Sequence, residues 1–214
     1  MTDAVSIPAV AGSGPGVPKT ARGERTRARI LKAAEETFGT LGYHRAGIAD
    51  ITRAAGVASG TFYTYFASKE ETLRELVQEM GRRLRAHLEQ ETAGARDRLE
   101  AEELGLRAFL QYLCDNPALY RVLQEAQFVD ESIYRHYYES FGERYIRMLA
   151  GATDRGEIRP GNDEVRVWAL MGISNFLGLR YALWEKEARF DEIVATVSDL
   201  LRNGLASGGG RENR

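Results

Sequence analysis

The chain has 214 residues, of which 43% are hydrophobic and 28% charged, a composition typical of a folded domain and not of a disordered or fibrous chain. Its single cysteine, Cys114, excludes an internal disulfide and favours a reducing compartment. The formal net charge is only −2, but residues 19–53 carry eight basic and four acidic side chains, a local charge of +4 that leaves −6 for the remainder. This asymmetry is expected of a protein that approaches a polyanion with one end, although chance clustering of charges on solvated faces also fits it.

The two ends of the chain differ from the rest in composition. Residues 1–20 are rich in proline and glycine and lack the basic start and apolar centre of a signal peptide, so we expect a disordered tail there. Residues 207–214 are expected to form a second flexible end. No apolar run approaches the roughly 20 residues that a membrane-spanning helix needs. We therefore expect a cytoplasmic protein with no membrane partner.

The first two predicted helices are marked by apolar residues at steps of three and four. One such stripe predicts a helix over residues 22–41, ended by Gly42. A second, short pattern over residues 48–55 ends at Gly56, which suits a tight turn because only glycine reaches positive φ at little cost. The basic residues are concentrated in and around these two helices.

The next stretch, GTFYTYFASKE from residue 60, is rich in residue types that are enriched in strands. If residues 60–66 are helical instead, Phe62 and Phe66 lie on one face and can both be buried. Burying one Phe contributes about 1.5–3 kcal/mol, whereas helix propensities differ by tenths of a kcal/mol per residue. The sequence therefore predicts a short second helix after a glycine turn, which makes a helix-turn-helix motif.

Longer helices are predicted over the remainder. Ser68 and Glu71 have the spacing of a capping box for a helix that starts near Lys69. The later helices are expected over 98–115, from the Asn116-Pro117 pair, from Asp130, over 163–186 and over 191–203. No convincing strand pattern is present. We predict an all-α fold: an N-terminal three-helix helix-turn-helix DNA-binding domain (21–67), followed by a larger helical ligand-binding and dimerisation domain (68–206).

The segment from Gly42 to Leu73 carries a combination of short motifs that resembles the DNA-binding motif of the TetR/AcrR family of bacterial transcriptional repressors. These motifs are GY at 42, IADI at 48, AGV at 55, GTFY at 60, YF at 65 and SKE at 68. The resemblance implies that the second motif helix enters the major groove, with contacts to bases and phosphates. The residues expected to bind DNA are Arg22, Arg25, Arg45, Ser59, Gly60, Thr61, Tyr63, Thr64, Tyr65 and Lys69.

Two positions depart from the family pattern. Gly47 stands where many members have a Thr or Ser that caps the first motif helix and bonds a phosphate, and Ala58 stands where a Ser often opens the recognition helix. Ser59 can take over the second role. The first contact is expected to be lost, so we expect affinity to depend more on the N-terminal arginines, Arg29 among them.

The resemblance also implies a homodimer whose C-terminal domains bind a small-molecule effector. The helix predicted over 163–186 is apolar almost all round, as expected of a helix buried on more than one side. Gly172 and Gly178 inside it favour a close approach of two backbones. We expect the dimer to form through the helices 163–186 and 191–203, although a monomer core helix also fits this pattern.

Aromatic residues and one amide mark the predicted ligand site. Asn175 lies within the apolar helix and needs hydrogen-bond partners if it is buried. The expected ligand, small and apolar or aromatic, is predicted to contact Phe109, Tyr112, Phe128, Tyr137, Phe141, Asn175, Phe176 and Leu179. Plain core packing is the alternative for each of these residues.

Enzyme signatures are weak. His44, His87 and His136 show no metal-ligand spacing, and we expect neither a metal nor a cofactor. The acidic pairs Glu70-Glu71 and Glu102-Glu103 are interpreted as solvated helix faces. We expect a ligand-responsive repressor released from a palindromic operator. The alternative is a helical ligand-binding or protein-interaction module with a degenerate DNA head.

Overall fold

A computed structural model describes residues 20–185 and 189–205. The tails predicted over 1–20 and 207–214 lie outside these residues, apart from Thr20, and so does Lys186, the predicted end of one helix. Within the described ranges the chain is helical and forms no strand. Its elements are α1 (Ala21–Leu41), α2 (Ile48–Ala55), α3 (Ser59–Tyr65), α4 (Lys69–Thr92), α5 (Arg98–Asp115), α6 (Ala118–Val129), α7 (Glu131–Asp154), α8 (Asp163–Leu177), a π-helical segment (Gly178–Trp184) and α9 (Phe190–Asn203).

The N-terminal head consists of α1, α2 and α3, as predicted. Gly56 ends α2 with φ 62°, the left-handed conformation that the tight turn requires. The stretch after it is helical, and Phe62 and Phe66 are 0% and 1% exposed. The hydrophobic contribution of these two rings outweighs the poor helix propensity of their neighbours.

Two predicted helix starts differ in detail. Ser68 caps α4 by accepting the N–H of Glu71 at 3.0 Å, but the Glu71 carboxylate accepts the N–H of Ala67 at 2.5 Å, one residue before the expected donor. Asn116 does not cap α6, because its side chain donates to the carbonyl of Tyr112 at the end of α5. The side chain therefore completes the preceding helix and leaves the next one without a side-chain cap.

The helix predicted over 163–186 is not one continuous α-helix. α8 ends at Leu177 and continues as the π-helical segment to Trp184. The change coincides with Gly178, where an added Cβ would lie 2.4 Å from Leu113 Cδ1 and 3.1 Å from Phe109 Cε1. Gly178 thus permits close packing on α5, while the position of Gly172 faces open space in the single chain.

The hydrophobic core runs without interruption from the head into the body. One buried cluster includes Phe38, Ile51 and Phe62 of the head together with Leu113 and Leu123 of the body. α4 lies between them, and α1 packs against both α4 and α6. A smaller cluster joins α5 to α9. The two predicted domains therefore share packing, which lets a change in one act on the other. No helix within the described residues is long and apolar enough to cross a membrane.

Candidate functional site

The outward face of α3 carries most of the side chains predicted to contact bases. Tyr63 is 51% exposed, and its ring meets the buried Phe62 ring edge-on, with 5.4 Å between centroids. Thr64 donates its hydroxyl to the carbonyl of Gly60 at 3.1 Å. The predicted residues of this helix divide into two groups: Ser59, Gly60, Tyr63 and Thr64 are exposed, and Thr61 and Tyr65 are half-buried. α3 therefore presents a short, hydroxyl-rich surface on a rigid apolar base.

The arginines of α1 fall into two groups: three are exposed to solvent, and one forms an ion pair with α4. Arg22, Arg25 and Arg29 are exposed at spacings of three and four, which places them along one face. Arg27 instead pairs with Glu75 at 2.5 Å and holds α1 to α4. Arg45 is exposed in the α1–α2 loop, which adds a cation beyond the end of α1.

The first motif helix, α2, begins at Gly47 without a side-chain cap. The Asp50 carboxylate accepts the N–H of Gly47 at 3.0 Å and pairs with Arg53 at 3.1 Å. A carboxylate therefore occupies the helix N-terminus, which otherwise attracts anions. This placement is consistent with the predicted loss of a phosphate contact at that position.

Lys69 lies at the start of α4 and reaches into the α1–α2 loop. Its Nζ donates to the carbonyls of Tyr43 and Ala46, both at 2.9 Å, and lies 4.2 Å from the centre of the Tyr43 ring. An ammonium has three donors, so one is left for a phosphate. The side chain thus fixes the loop, a function that the sequence pattern did not indicate.

We expect the substitution Lys69→Met to lower the free energy of unfolding by about 2 kcal/mol, because two charge-assisted hydrogen bonds are lost. For a chain of this size the midpoint of thermal unfolding falls by roughly 4–8 °C. Circular dichroism melting measures this effect, with exposed Lys32→Met as the control. Equal melting of the Lys69 and Lys32 variants contradicts the structural role.

The body contains a partly open cavity of about 190 Å³ between α4, α5, α6, α7 and α8. Four of the eight residues predicted to bind a ligand line it: Phe109, Tyr137, Phe141 and Asn175. Six leucines and two methionines are among the other twenty lining residues, together with Tyr120, Tyr138 and several charged side chains. Burial raises the pKa of the Tyr137 and Tyr138 hydroxyls, which keeps them neutral hydrogen-bonding groups. The cavity suits an apolar molecule that carries a few polar atoms.

The other four predicted residues are not part of the cavity wall. Phe128 and Phe176 are 80% and 70% exposed, because their positions lie on outer faces of α6 and α8. Tyr112 packs beside His87 with 5.2 Å between ring centroids, and Leu179 is half-buried on the π-helical segment. Residue type predicted these positions, three of them aromatic and one a leucine of the apolar helix, but the side of its helix on which each residue lies keeps it out of the cavity wall.

The wall of the cavity includes a buried ion pair. Arg98 Nε lies 2.9 Å from Glu102 Oε1, and the two side chains are 9% and 11% exposed. The interpretation of Glu102 as part of a solvated face is therefore wrong: α5 turns this residue toward the cavity, where Tyr145 donates its hydroxyl to the carboxylate. Burial raises the pKa of the Glu102 carboxyl, and Arg98 offsets part of that effect. Neither Arg98 Nε nor Glu102 Oε1 has a well-aligned hydrogen bond with any residue that the structure describes.

A second pair connects the body to the head. Arg121 of α6 donates from Nη1 to the carbonyls of Gly39 and Thr40, at 2.9 and 3.3 Å, and so caps the end of α1. The Glu125 carboxylate accepts the N–H of Tyr43 in the following loop. We call these contacts the α6–α1 link. The opposite side of α6 lines the cavity, so this helix lies between the cavity and the head.

The outer surface of α8 is apolar in the single chain. A stripe at spacings of three and four, which we call the α8 stripe, consists of Val165, Trp168, Gly172 and Phe176. Its side chains are exposed, Trp168 by 46% and Phe176 by 70%. Contiguous exposed apolar surface of this kind is typical of a protein–protein interface.

Comparison with known proteins gives a consistent result. The family model of bacterial regulatory proteins of the tetR family matches residues 30–76. The chain is 30% identical to an HTH-type transcriptional regulator of Bacillus subtilis, YfiR, over 83% of its own length and 87% of the relative's. It is 28% identical to the A-factor receptor protein of Streptomyces griseus, over 88% of this chain and 66% of that one.

Solved structures of the same fold include two regulators called FadR. The Bacillus subtilis protein, solved in complex with stearoyl-CoA, superposes with a TM-score of 0.74 at 21% identity and covers 84% of this chain and 99% of its own. The fatty acid degradation regulator of Bacillus halodurans gives a TM-score of 0.73 at 22% identity, over 84% of this chain and 96% of its own. At these identities the likeness concerns the fold.

Proposed function

The chain belongs to the TetR family of bacterial transcriptional regulators, and from this premise we propose that it is a homodimeric repressor released from a palindromic operator by a small apolar or aromatic effector. The observation that carries the proposal is the position of α6, which lines the cavity with one face and holds α1 with the other. The proposed activity is the binding of DNA and effector, without a catalytic step. The proposed location of the protein is the cytoplasm.

In the proposed complex, α3 enters the major groove and α1 follows the backbone. Tyr63 and Thr64, both exposed, supply contacts to bases and phosphates. Arg22, Arg25 and Arg29 supply the cations that neutralise phosphates and make binding dependent on salt. Lys69 adds its one remaining donor.

In the proposed dimer, α8 and α9 pack against their copies, through the α8 stripe and the half-buried residues of α9. Gly172 supports this arrangement, since no atom of the described residues outside its own stretch of helix lies within 4 Å of a Cβ added there. A two-fold axis through this dimer interface sets the distance between the two α3 helices. A palindromic operator with half-sites about one helical turn apart matches that symmetry.

The proposed effector occupies the cavity. Its class is supported by the apolar wall with tyrosine hydroxyls and by the A-factor and stearoyl-CoA receptors among the similar proteins. An apolar acid, an acyl thioester or an aromatic acid fits this description. Screening such compounds by thermal shift, and testing the hits for release of labelled operator, tests the proposal; a set that binds the protein and leaves operator affinity unchanged contradicts it.

We expect the double substitution Arg121→Met/Glu125→Met to uncouple the effector from DNA. A coupling of about 5- to 150-fold in operator affinity, the usual range for allosteric proteins, is expected to fall toward 1, because movement of α6 no longer pulls on the end of α1. The measurement is operator affinity with and without effector. The matched control is Arg135→Met/Glu139→Met, an exposed pair of the same types and spacing on α7. If the Arg121/Glu125 variant keeps the full coupling, the proposed transmission from the cavity through α6 to α1 is contradicted.

A further inference from the structure

The charged side chains that line the cavity do not balance. The cations are Arg85, Arg98 and Arg144, and the anions are Glu89 and Glu102. Arg98 pairs with Glu102 at 2.9 Å. Arg144 pairs with Glu89, also at 2.9 Å, whereas Arg85 forms no ion pair with any residue that the structure describes. The lining therefore carries one positive charge without a counterion.

The Arg85 guanidinium is held at the cavity wall by uncharged neighbours. Its Nη1 donates to Ser140 Oγ at 3.1 Å, and the Ser140 hydroxyl donates in turn to the carbonyl of Tyr137 at 2.9 Å. Its Cζ lies 4.9 Å from the centre of the Phe141 ring, which also lines the cavity. A guanidinium has five N–H donors, so these contacts fix its position and leave donors for a ligand.

The surroundings of Arg85 do not compensate its charge. The side chain is half-buried. Burial, followed by repulsion from Arg82 and Arg144, lowers the pKa of this guanidinium, and attraction to Glu89 does not restore it. The group stays protonated at neutral pH, because arginine is effectively always charged. An anion that enters the cavity therefore gains a stronger attraction than it would at a fully exposed cation.

The missing charge and the apolar wall together select a ligand. Water, an alcohol or a thioester carbonyl accepts a hydrogen bond from Arg85 but brings no negative charge. A phosphate monoester carries about −1.5 to −2 charges at pH 7, more than one cation offsets. A carboxylate carries a single charge, and its two oxygens match the parallel N–H groups of a guanidinium.

We propose that the effector is an apolar monocarboxylic acid that binds as its anion, with the carboxylate on Arg85 and the apolar part against the leucines and methionines of the wall. The inference rests on the proposed function, since it names the chemical class of effector for the same cavity. It selects free acids over thioesters, whose apolar chains fit the same wall.

The cavity volume sets the size of the probes. The volume of about 190 Å³ equals that of roughly six water molecules in the liquid, at about 30 Å³ each. A methylene group is of similar size to a water molecule, so short fatty acids suit this space. The probes are hexanoate and octanoate. Each is compared with its amide, which has nearly the same shape and no charge.

Isothermal titration calorimetry at pH 7 without DNA measures these affinities. We expect the wild-type protein to bind octanoate about 10-fold more tightly than octanamide or better, because hydrogen bonds to a charged group are stronger than neutral ones. Equal affinities within both acid–amide pairs, or binding of neither acid, overturn the inference, and so does tighter binding of octyl phosphate. Because no DNA is present, these outcomes are separate from any failure of operator binding.

The substitution Arg85→Met assigns the preference to this side chain. Arg85 has no carboxylate partner among the described residues, so the change leaves no buried anion unpaired and we expect a folded protein. The acid-to-amide affinity ratio is expected to fall to about 1. Arg85→Lys keeps the charge without the planar fork and should keep part of the preference.

The matched control is Arg147→Met, which removes an exposed arginine of α7 that does not line the cavity. We expect this variant to prefer octanoate as the wild type does. A preference for the acid that survives in Arg85→Met contradicts the proposed contact. The wild-type comparison of acid and amide decides the question even if the Arg85 variant does not fold.

Discussion

Replacing Tyr63 by Ala is expected to weaken operator binding by about 30-fold or more. Tyr63 is the large exposed side chain of α3, and the loss of one specific contact typically costs about 1–3 kcal/mol at each half-site. The fold should not change, because the buried side chain of α3 is Phe62, and the buried Phe66 directly follows the helix. Fluorescence anisotropy with a labelled operator measures the effect.

The control is Phe128→Ala, which removes another exposed aromatic ring, at the end of α6 and away from α3. We expect this variant to bind the operator like the wild type. Effector affinity and dimer mass should be the same in all three proteins. A Tyr63→Ala protein with wild-type operator affinity would exclude α3 as the reading helix.

The substitution Trp168→Glu is expected to break the dimer. Trp168 is central to the α8 stripe, and tryptophans at the centre of interfaces commonly contribute 2 kcal/mol or more. A two-fold dimer contains the residue twice, so about 4 kcal/mol is lost and the dissociation constant rises about 10³-fold. Operator affinity falls with it, because a single head contacts only one half-site.

Analytical ultracentrifugation of the wild type and of Trp168→Glu measures the assembly. The control Phe128→Glu places the same charge on another exposed aromatic position. We expect a dimer for the wild type and for the Phe128 variant, and a monomer for the Trp168 variant. A dimeric Trp168→Glu protein would show that the dimer interface does not include the α8 stripe.

The head could be predicted from the sequence because its signals are local. Gly56 requires a turn, and the four-residue spacing of Phe62 and Phe66 places both rings on one buried face. These features depend on backbone geometry and short-range packing, which a sequence expresses directly. The all-helical body followed from periodicity in the same way, although the change to a π-helix at Gly178 depends on how closely α5 approaches.

The residues that line the cavity could not be predicted as well. Whether a residue faces the cavity depends on which side of its helix it lies and on which helices pack beside it. Three Arg–Glu pairs at a spacing of four illustrate the point. Arg135–Glu139 is exposed, Arg121–Glu125 joins two helices, and Arg98–Glu102 is buried in the cavity wall. Nothing in the local sequence separates these cases, so only the fold assigns their functions.

The most direct test of the central claim is selection of random duplex DNA by the purified protein, followed by titration of the enriched pool at several salt concentrations. We predict a palindromic motif with half-sites about one helical turn apart, bound with an affinity that falls steeply as salt rises. The Tyr63→Ala protein run in parallel should lose the motif and keep weak, salt-dependent binding. Absence of an enriched motif with the wild-type protein, with and without an effector found by the thermal-shift screen, would contradict the claim that this chain is an operator-binding regulator.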